Sequence, residues 1–256
     1  MVKVWSVRSV DMKRDPLFTS DHHSDLRSVV IGNDNSVFIG CGQGKITAWN
    51  VEKNDKFSFP CLHSGDVIAL ETLNSQHRLY SASSDGSVKV WRQDGILMHT
   101  TEEHIDWIFA LALTDKYLVC GSSDNNLHVH DLQTAALVAT MRSHQNQVRA
   151  VVSHQGFVLS GSYDSTVMKW DPSGQLNKPV ATFSVEAPVY SVMYLGDHYV
   201  VSGDEKGILT LFDARQPAKP VNKYESHTGT VYSLVPVGRT LFSCSSDVTI
   251  KRWRWG

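Results

Sequence analysis

Residues 158–171 read Val-Leu-Ser-Gly-Ser-Tyr-Asp-Ser-Thr-Val-Met-Lys-Trp-Asp: a short apolar strand, a tight polar turn at Asp164 and a second strand ending on Trp170. Apolar alternation broken by small and acidic residues is the pattern of a β-hairpin. The hairpin is not unique in the chain. Strands ending on an aromatic recur at Trp5, Trp49, Trp91, His130, Trp170, Phe212 and Trp253, at intervals of 44, 42, 39, 40, 42 and 41 residues. Upstream of each slot after the first lies the same strand and turn: FIGCGQG, LYSASSDG, LVCGSSDN, VLSGSYDS, VVSGDEKG and LFSCSSDV. Before those comes a third strand type, such as VIALETL, IFALALT, VRAVVS, VYSVMYL and VYSLVPV. A period near 40 residues built from strands predicts a stacked all-β architecture in which no unit buries itself alone.

Composition agrees with a folded core. The 256 residues are 41% hydrophobic and 20% charged, with 24 Lys+Arg against 26 Asp+Glu. A net charge of -2 disfavours a general nucleic-acid surface. No apolar run reaches membrane-span length, and the start lacks the basic-then-apolar pattern of a signal peptide. Cys41, Cys61, Cys120 and Cys244 show no knuckle or disulfide spacing, so they are expected as reduced thiols in the cytoplasm, or the nucleus.

The shared register of several residue types resembles the WD-repeat β-propeller family over essentially the whole chain, although Trp170-Asp171 is its one literal WD dipeptide. The resemblance implies a single domain over 1–256. It favours seven blades with the first, N-terminal one incomplete, since the chain begins directly on a Trp-bearing strand. The alternative is six blades, with the segment near Pro16 closing the last. In the family a His, Ser, Asp, Trp quartet braces each blade. Here His63, Ser83, Asp85 and Trp91 share one set of spacings, repeated by His144, Ser162, Asp164 and Trp170 and by His227, Ser245, Asp247 and Trp253. His104, Ser122 and Asp124 form a fourth copy, with His130 in the Trp slot. The Trp49 unit has Cys41 and Gln43 at the Ser and Asp positions, and the Phe212 unit has Val185 and Lys206 at the His and Asp positions. Those two blades are expected to be less rigid.

Ser, His and Asp together invite a hydrolase reading, but four equivalent copies are the mark of a structural element, since catalysis needs one constellation in one cleft. No nucleophile elbow, P-loop, HExxH or dinucleotide fingerprint appears. His128 and His130 alternate on one strand face without a thiolate or carboxylate companion, so no metal, cofactor or small-molecule substrate is expected. The chain reads as no enzyme but a scaffold for a protein or peptide partner.

By the family pattern, positions three and five after the repeat histidine, and the one before the turn aspartate, surround the top face. They place Arg27, Trp107, Phe109, Arg149, Tyr163, Tyr190, Glu205 and Tyr232 there. The aromatics and Arg149 come from four consecutive units, a composition that interfaces favour. Trp107 stands out, because other units have Asp, Gln, Pro or Thr at its place. Two further features are noted. Phe212-Asp213-Ala214-Arg215 resembles the aromatic-Asp-x-Arg box of WD-repeat substrate receptors of cullin ubiquitin ligases, in which Asp213 and Arg215 would meet the adaptor. Lys251, Arg252 and Arg254, interleaved with Trp253 and Trp255, resemble a small patch for a nucleic acid or an acidic partner, although the stronger reading is a strand end with Trp253 in its packing slot.

Overall fold

The structure, a computed structural model, describes residues 2–4, 18–20, 25–33, 35–60, 62–101, 106–174 and 178–254, the first two stretches by backbone alone. Its contacts group into two compact units, Met1–Thr100 and Thr101–Gly256. The first unit opens with a two-stranded antiparallel ribbon, β1 (Val2–Val4) and β2 (Phe18–Ser20). Blade 1 follows as β3 (Leu26–Ile31), β4 (Ser36–Cys41), β5 (Ile46–Asn50) and β6 (Asp55–Ser58). Blade 2 is β7 (Val67–Leu73), β8 (Arg78–Ser83), β9 (Val88–Arg92) and β10 (Leu97–Thr101).

The second unit holds blade 3, β11 (Ile108–Leu113), β12 (Tyr117–Ser122), β13 (Leu127–Asp131) and β14 (Leu137–Met141). Blade 4 is β15 (Val148–His154), β16 (Phe157–Ser162), β17 (Thr166–Trp170) and β18 (Ala181–Ser184). Blade 5 is β19 (Val189–Leu195), β20 (Tyr199–Asp204), β21 (Ile208–Asp213) and β22 (Pro220–Glu225). Blade 6 has three strands, β23 (Val231–Val237), β24 (Thr240–Ser245) and β25 (Ile250–Arg254).

The fold is therefore a six-bladed, all-antiparallel β-propeller, which corrects the expectation of seven blades with an incomplete first. The strand that opens the chain does not found a blade. It pairs with Phe18–Ser20, and a ribbon of three-residue strands has too little surface to present two apolar faces. The alternative gave the right number, yet Phe18–Ser20 lies in the ribbon, while Trp5 and Pro16 fall outside the described residues.

Within each unit the aromatic slot is a packing position. Trp91 is fully buried with Phe38, Phe59, Val67 and Leu79, the ring of Phe59 meeting it edge-on at 5.1 Å. Trp170 is enclosed by Val119, Leu127, Met141 and Val158, and Phe212 by Phe183 and Val189. The glycine in the second strand has a matching cause. A Cβ at Gly161 or Gly203 would come within 2.7 Å of Val189 or Val231 on the next blade's first strand.

The turn between second and third strands sets the hairpin. Its residue after the Asp position has positive φ in all six blades: Gly44 (74°), Gly86 (78°), Asn125 (72°), Ser165 (65°), Gly207 (83°) and Val248 (62°). Gly207 has two reasons to be glycine, since a Cβ there would also lie 2.1 Å from the carbonyl oxygen of His227. Val248 is a β-branched residue in a conformation such residues avoid, and it is 97% exposed, so no packing offsets the strain. Gly207→Ala is therefore expected to lower unfolding free energy by more than about 2 kcal/mol, and Val248→Gly to raise it by up to about 1 kcal/mol. Urea unfolding of both variants checks this; losses of the same sign and size would contradict the turn assignment.

Candidate functional site

The repeated polar residues form one bonding pattern in three blades. In blade 2 the indole N–H of Trp91 donates to Ser81 Oγ at 2.9 Å, which lies 2.7 Å from His63 Nε2. The other ring nitrogen, His63 Nδ1, faces Asp85 Oδ2 at 3.2 Å and Ser87 Oγ at 2.9 Å. Blade 4 repeats it with Trp170, Ser160, His144 and Asp164, at 2.8, 2.7 and 2.8 Å along the chain of bonds. Blade 6 repeats it with Trp253, Ser243, His227 and Asp247, at 2.9, 2.8 and 2.8 Å. Because an indole can only donate and a carboxylate only accept, the serine hydroxyl gives its hydrogen to Nε2 and the imidazole carries its proton on Nδ1.

The serine at the centre of the brace is thus Ser81, Ser160 or Ser243, two residues before the expected Ser83, Ser162 and Ser245. The register explains why. Trp91 lies opposite Leu79, Trp170 opposite Val158 and Trp253 opposite Leu241, so the nearer serine is the diagonal neighbour of the indole. The three expected serines do other work. Ser162 and Ser245 donate to the carbonyls of Asn146 and Gly229, and all three accept the backbone N–H of the turn aspartate.

Blade 3 departs from the expected fourth copy. Cys120 occupies the bridging-serine position, Asp124 accepts from His128 Nε2 at 2.8 Å, and His130 Nδ1 reaches the carbonyl of Ala135 at 3.2 Å. Ser122 donates to the carbonyl of Trp107 at 3.1 Å. His104 lies outside the described residues. In blade 1 the indole of Trp49 donates to Asn54 at 3.2 Å. In blade 5 the hydroxyl of Ser202 is buried without a partner among the described residues, beside the buried Asp204.

The second unit brings together the expected aromatic and arginine residues of blades 3 to 6. The Arg149 guanidinium lies 3.8 Å from the Phe109 ring centre, 5.2 Å from Tyr163 and 5.5 Å from Tyr190. Tyr163 and Tyr190 share a hydrogen bond of 2.6 Å between hydroxyls, and Tyr232 meets Tyr190 edge-on at 5.7 Å. Trp107 meets Phe109 edge-on at 6.0 Å. The row ends in its two most open members, Trp107 at 52% and Tyr232 at 57% exposure. Burial first, then the bond to Tyr163, pushes the Tyr190 phenol well above its usual range. Among the described residues no carboxylate pairs with Arg149, so its edge is open while its face is stacked. Glu205 is exposed at the turn of blade 5, its N–H bonded to the carbonyl of Pro188.

Other predicted residues stand apart. Arg27, in the first unit, pairs with Asp66 at 3.0 Å. Arg215 grips its own Asp213 through two bonds of 2.9 and 2.6 Å, its side chain 60% exposed, and this pairing holds the Asp213 carboxyl down to about 2.

Comparisons with known proteins follow this geometry. The family profile "WD domain, G-beta repeat" matches residues 58–92, 135–171 and 218–254. The chain is 27% identical over 198 residues to "Nuclear distribution protein nudF" of Emericella nidulans, covering 75% of this chain and 39% of that protein. It is 25% identical over 187 residues to "LEC14B homolog" of Prunus armeniaca, covering 70% and 39%. The chain thus spans about two fifths of the length of these curated relatives. Among solved structures, a chain of the mitotic checkpoint complex aligns with a TM-score of 0.83 at 20% identity, over 92% of this chain and 76% of that one. U3-55K aligns at 0.81 and 18%, over 93% and 80%. The designed Ika8 protein aligns at 0.80 and 24%, over 94% and 74%.

The brace makes stability depend on pH. Burial pushes the His63 imidazole down to about 4, against the opposing pull of Asp85. The unfolded ring takes up a proton near 6.5 and the folded ring does not, so stability is complete above that pH and falls toward pH 4. The loss is on the order of 2 to 3 kcal/mol across the interval. Burial alone would raise Asp85, but bonds from Ser87 and the nearby His63 ring hold it below the carboxylate range, so further loss follows at lower pH. Urea midpoints measured from pH 7 to 5 should drop in the native chain and drop less in His63→Gln; parallel pH profiles would contradict this.

Proposed function

Because the chain carries WD40 repeats and has the β-propeller fold, a non-catalytic interaction domain, we propose that it is a scaffold holding a protein partner on the top face of blades 3 to 6. The observation that supports this reading most is Arg149, stacked on Phe109 and flanked by Tyr163 and Tyr190, with exposed indole and phenol at either end. Interfaces draw their binding energy from such Trp, Tyr and Arg clusters. Stacking fixes the guanidinium at little further entropic cost, and its free edge suits a carboxylate or phosphate of an extended peptide. Trp107 would take the neighbouring apolar residue. A reducing compartment, cytoplasm or nucleus, is the proposed setting for the free thiols Cys41, Cys120 and Cys244.

The double variant Trp107→Ala, Arg149→Ala should lose partner recovery in a pull-down, while its thermal midpoint stays within about 4 °C of the native chain, the shift expected for a loss near 1 kcal/mol. Unchanged recovery would reject this surface.

A second reading, a substrate-recognition subunit of a cullin-type ubiquitin ligase, is favoured by the Phe212-Asp213-Ala214-Arg215 box. Asp213 fixes the Arg215 side chain in an exposed position at the end of β21, where its remaining N–H groups can meet an adaptor. Copurification of adaptor and cullin, lost in Arg215→Ala and kept in the Trp107 variant, is the result this reading expects; absence of both from the native chain would reject it.

A further inference from the structure

Arg27 and Arg149 occupy one repeat position. Each sits in the bulge that opens the first strand of its blade, where the ladder slips between Leu26 and Ser28 and between Val148 and Ala150. In the first unit the next blade completes the pair: Asp66, directly before β7, meets Arg27 at 3.0 Å. The residue directly before β19 is Pro188, which has no charge to offer. Arg149 therefore keeps the position without its acid. Three rings hold its guanidinium, at 3.8, 5.2 and 5.5 Å, and no carboxylate among the described residues meets it. A second donor belongs to the same cluster. Tyr163 and Tyr190 carry two hydroxyl hydrogens, of which the 2.6 Å bond between them uses one.

An opposite charge stands toward the Tyr232 end of the row. Glu205 is exposed, its N–H bonds the carbonyl of Pro188 at 3.0 Å, and its own carbonyl faces Thr230 Oγ1 at 3.4 Å. Pro188 and Thr230 lie two residues before Tyr190 and Tyr232, so the turn that carries Glu205 is tied to the entry of both strands bearing those rings. Behind burial and the bond to Tyr163, the Glu205 charge adds to the upward push on the Tyr190 phenol. No Lys or Arg among the described residues pairs with Glu205. The row thus holds a cation in its middle and an anion near one end, each without a counter-ion, while its other end is the exposed indole of Trp107.

The spacing limits what can bridge these points. From Trp107 through Phe109 to Arg149 the steps are 6.0 and 3.8 Å, and from Arg149 through Tyr190 to Tyr232 they are 5.5 and 5.7 Å. At roughly 3.3 Å per residue of extended chain, each half spans no more than about three residues.

We propose that the segment held on blades 3 to 6 is an extended stretch of mixed charge, with an acidic side chain on Arg149 flanked by an apolar one at Trp107 and a basic one at Glu205. This rests on the reading of that surface given above and adds its charge order. The acid replaces what Pro188 cannot supply, and the base meets both the carboxylate and the faces of Tyr190 and Tyr232. A segment acidic throughout would satisfy Arg149 but be repelled at Glu205, which is why mixed charge is the better match.

The test selects a random library of phage-displayed 12-residue peptides on the full chain and sequences the pools. Parallel selections use Glu205→Lys, Glu205→Gln and the double variant Trp107→Ala, Arg149→Ala. Peptides enriched on the native chain and not on the double variant should carry an acidic residue between an apolar and a basic one, in either chain direction. Enrichment of the basic residue should be roughly two- to fivefold per round, the affinity ratio of one exposed charge pair. Glu205→Lys should replace it with Asp or Glu, and Glu205→Gln should select neither sign there. If no peptide is enriched, or the double variant selects the same ones, the surface itself is rejected and the charge order with it. If enriched peptides need Trp107 and Arg149 but show no basic position, or keep it unchanged in both Glu205 variants, the charge order alone is overturned and the surface stands.

Discussion

Three blades turn on a serine hydroxyl that sits between an imidazole and an indole. Ser81, Ser160 and Ser243 each accept from a tryptophan and give to a histidine, and the histidine gives to the turn aspartate. Removing any one member would strand buried polar atoms, each at a cost of about 1 to 3 kcal/mol. The bonds thus couple the third strand, the second strand and the loop entering the blade into one element. Burial answers the hydrolase reading: Ser81, Ser160 and Ser243 are fully enclosed, out of reach of a substrate, and the pattern recurs where a single reactive centre would be needed.

The brace also ties down the loops that lead into the first strands of the blades, where Phe109, Arg149, Tyr190 and Tyr232 lie. The turn aspartates of blades 4 and 6 accept the N–H of Gln145 and Thr228, and Ser162 and Ser245 hold the carbonyls of Asn146 and Gly229. In blade 3 Ser122 holds the carbonyl of Trp107 itself. Trp107 is thus held directly, and Arg149 and Tyr232 follow loops held three residues upstream. Rigid support of that kind lowers the ordering cost of binding.

Much of this was legible in the sequence, and the gaps have physical causes. The hairpin at Asp164 and Trp170 gave away strand, turn and aromatic slot together, because each depends on local chemistry. Trp107, Phe109, Arg149, Tyr163, Tyr190 and Tyr232 could be assigned to one row from three repeat positions, those three and five after the histidine and the one before the turn aspartate, in consecutive units. Their mutual stacking could not, since it depends on rotamers. The bridging serine was misread by two residues because Ser81 and Ser83 share a strand face; counting the ladder back from the turn separates them. Blade number failed at the N-terminus, where a strand-like motif at Val2–Val4 carries no information about which strand it will meet. Cys120 in place of a serine marks blade 3 as different, a signal present in the sequence once the correct serine position is known.

Nitrogen-15 chemical shifts of histidine-labelled protein at pH 8 report which ring nitrogen carries the proton. For His63, His144 and His227 the brace requires the hydrogen on Nδ1, toward the aspartate, with Nε2 accepting from serine. Protonated Nε2 in these three rings, or tautomers averaging as they do in a free imidazole, would contradict it.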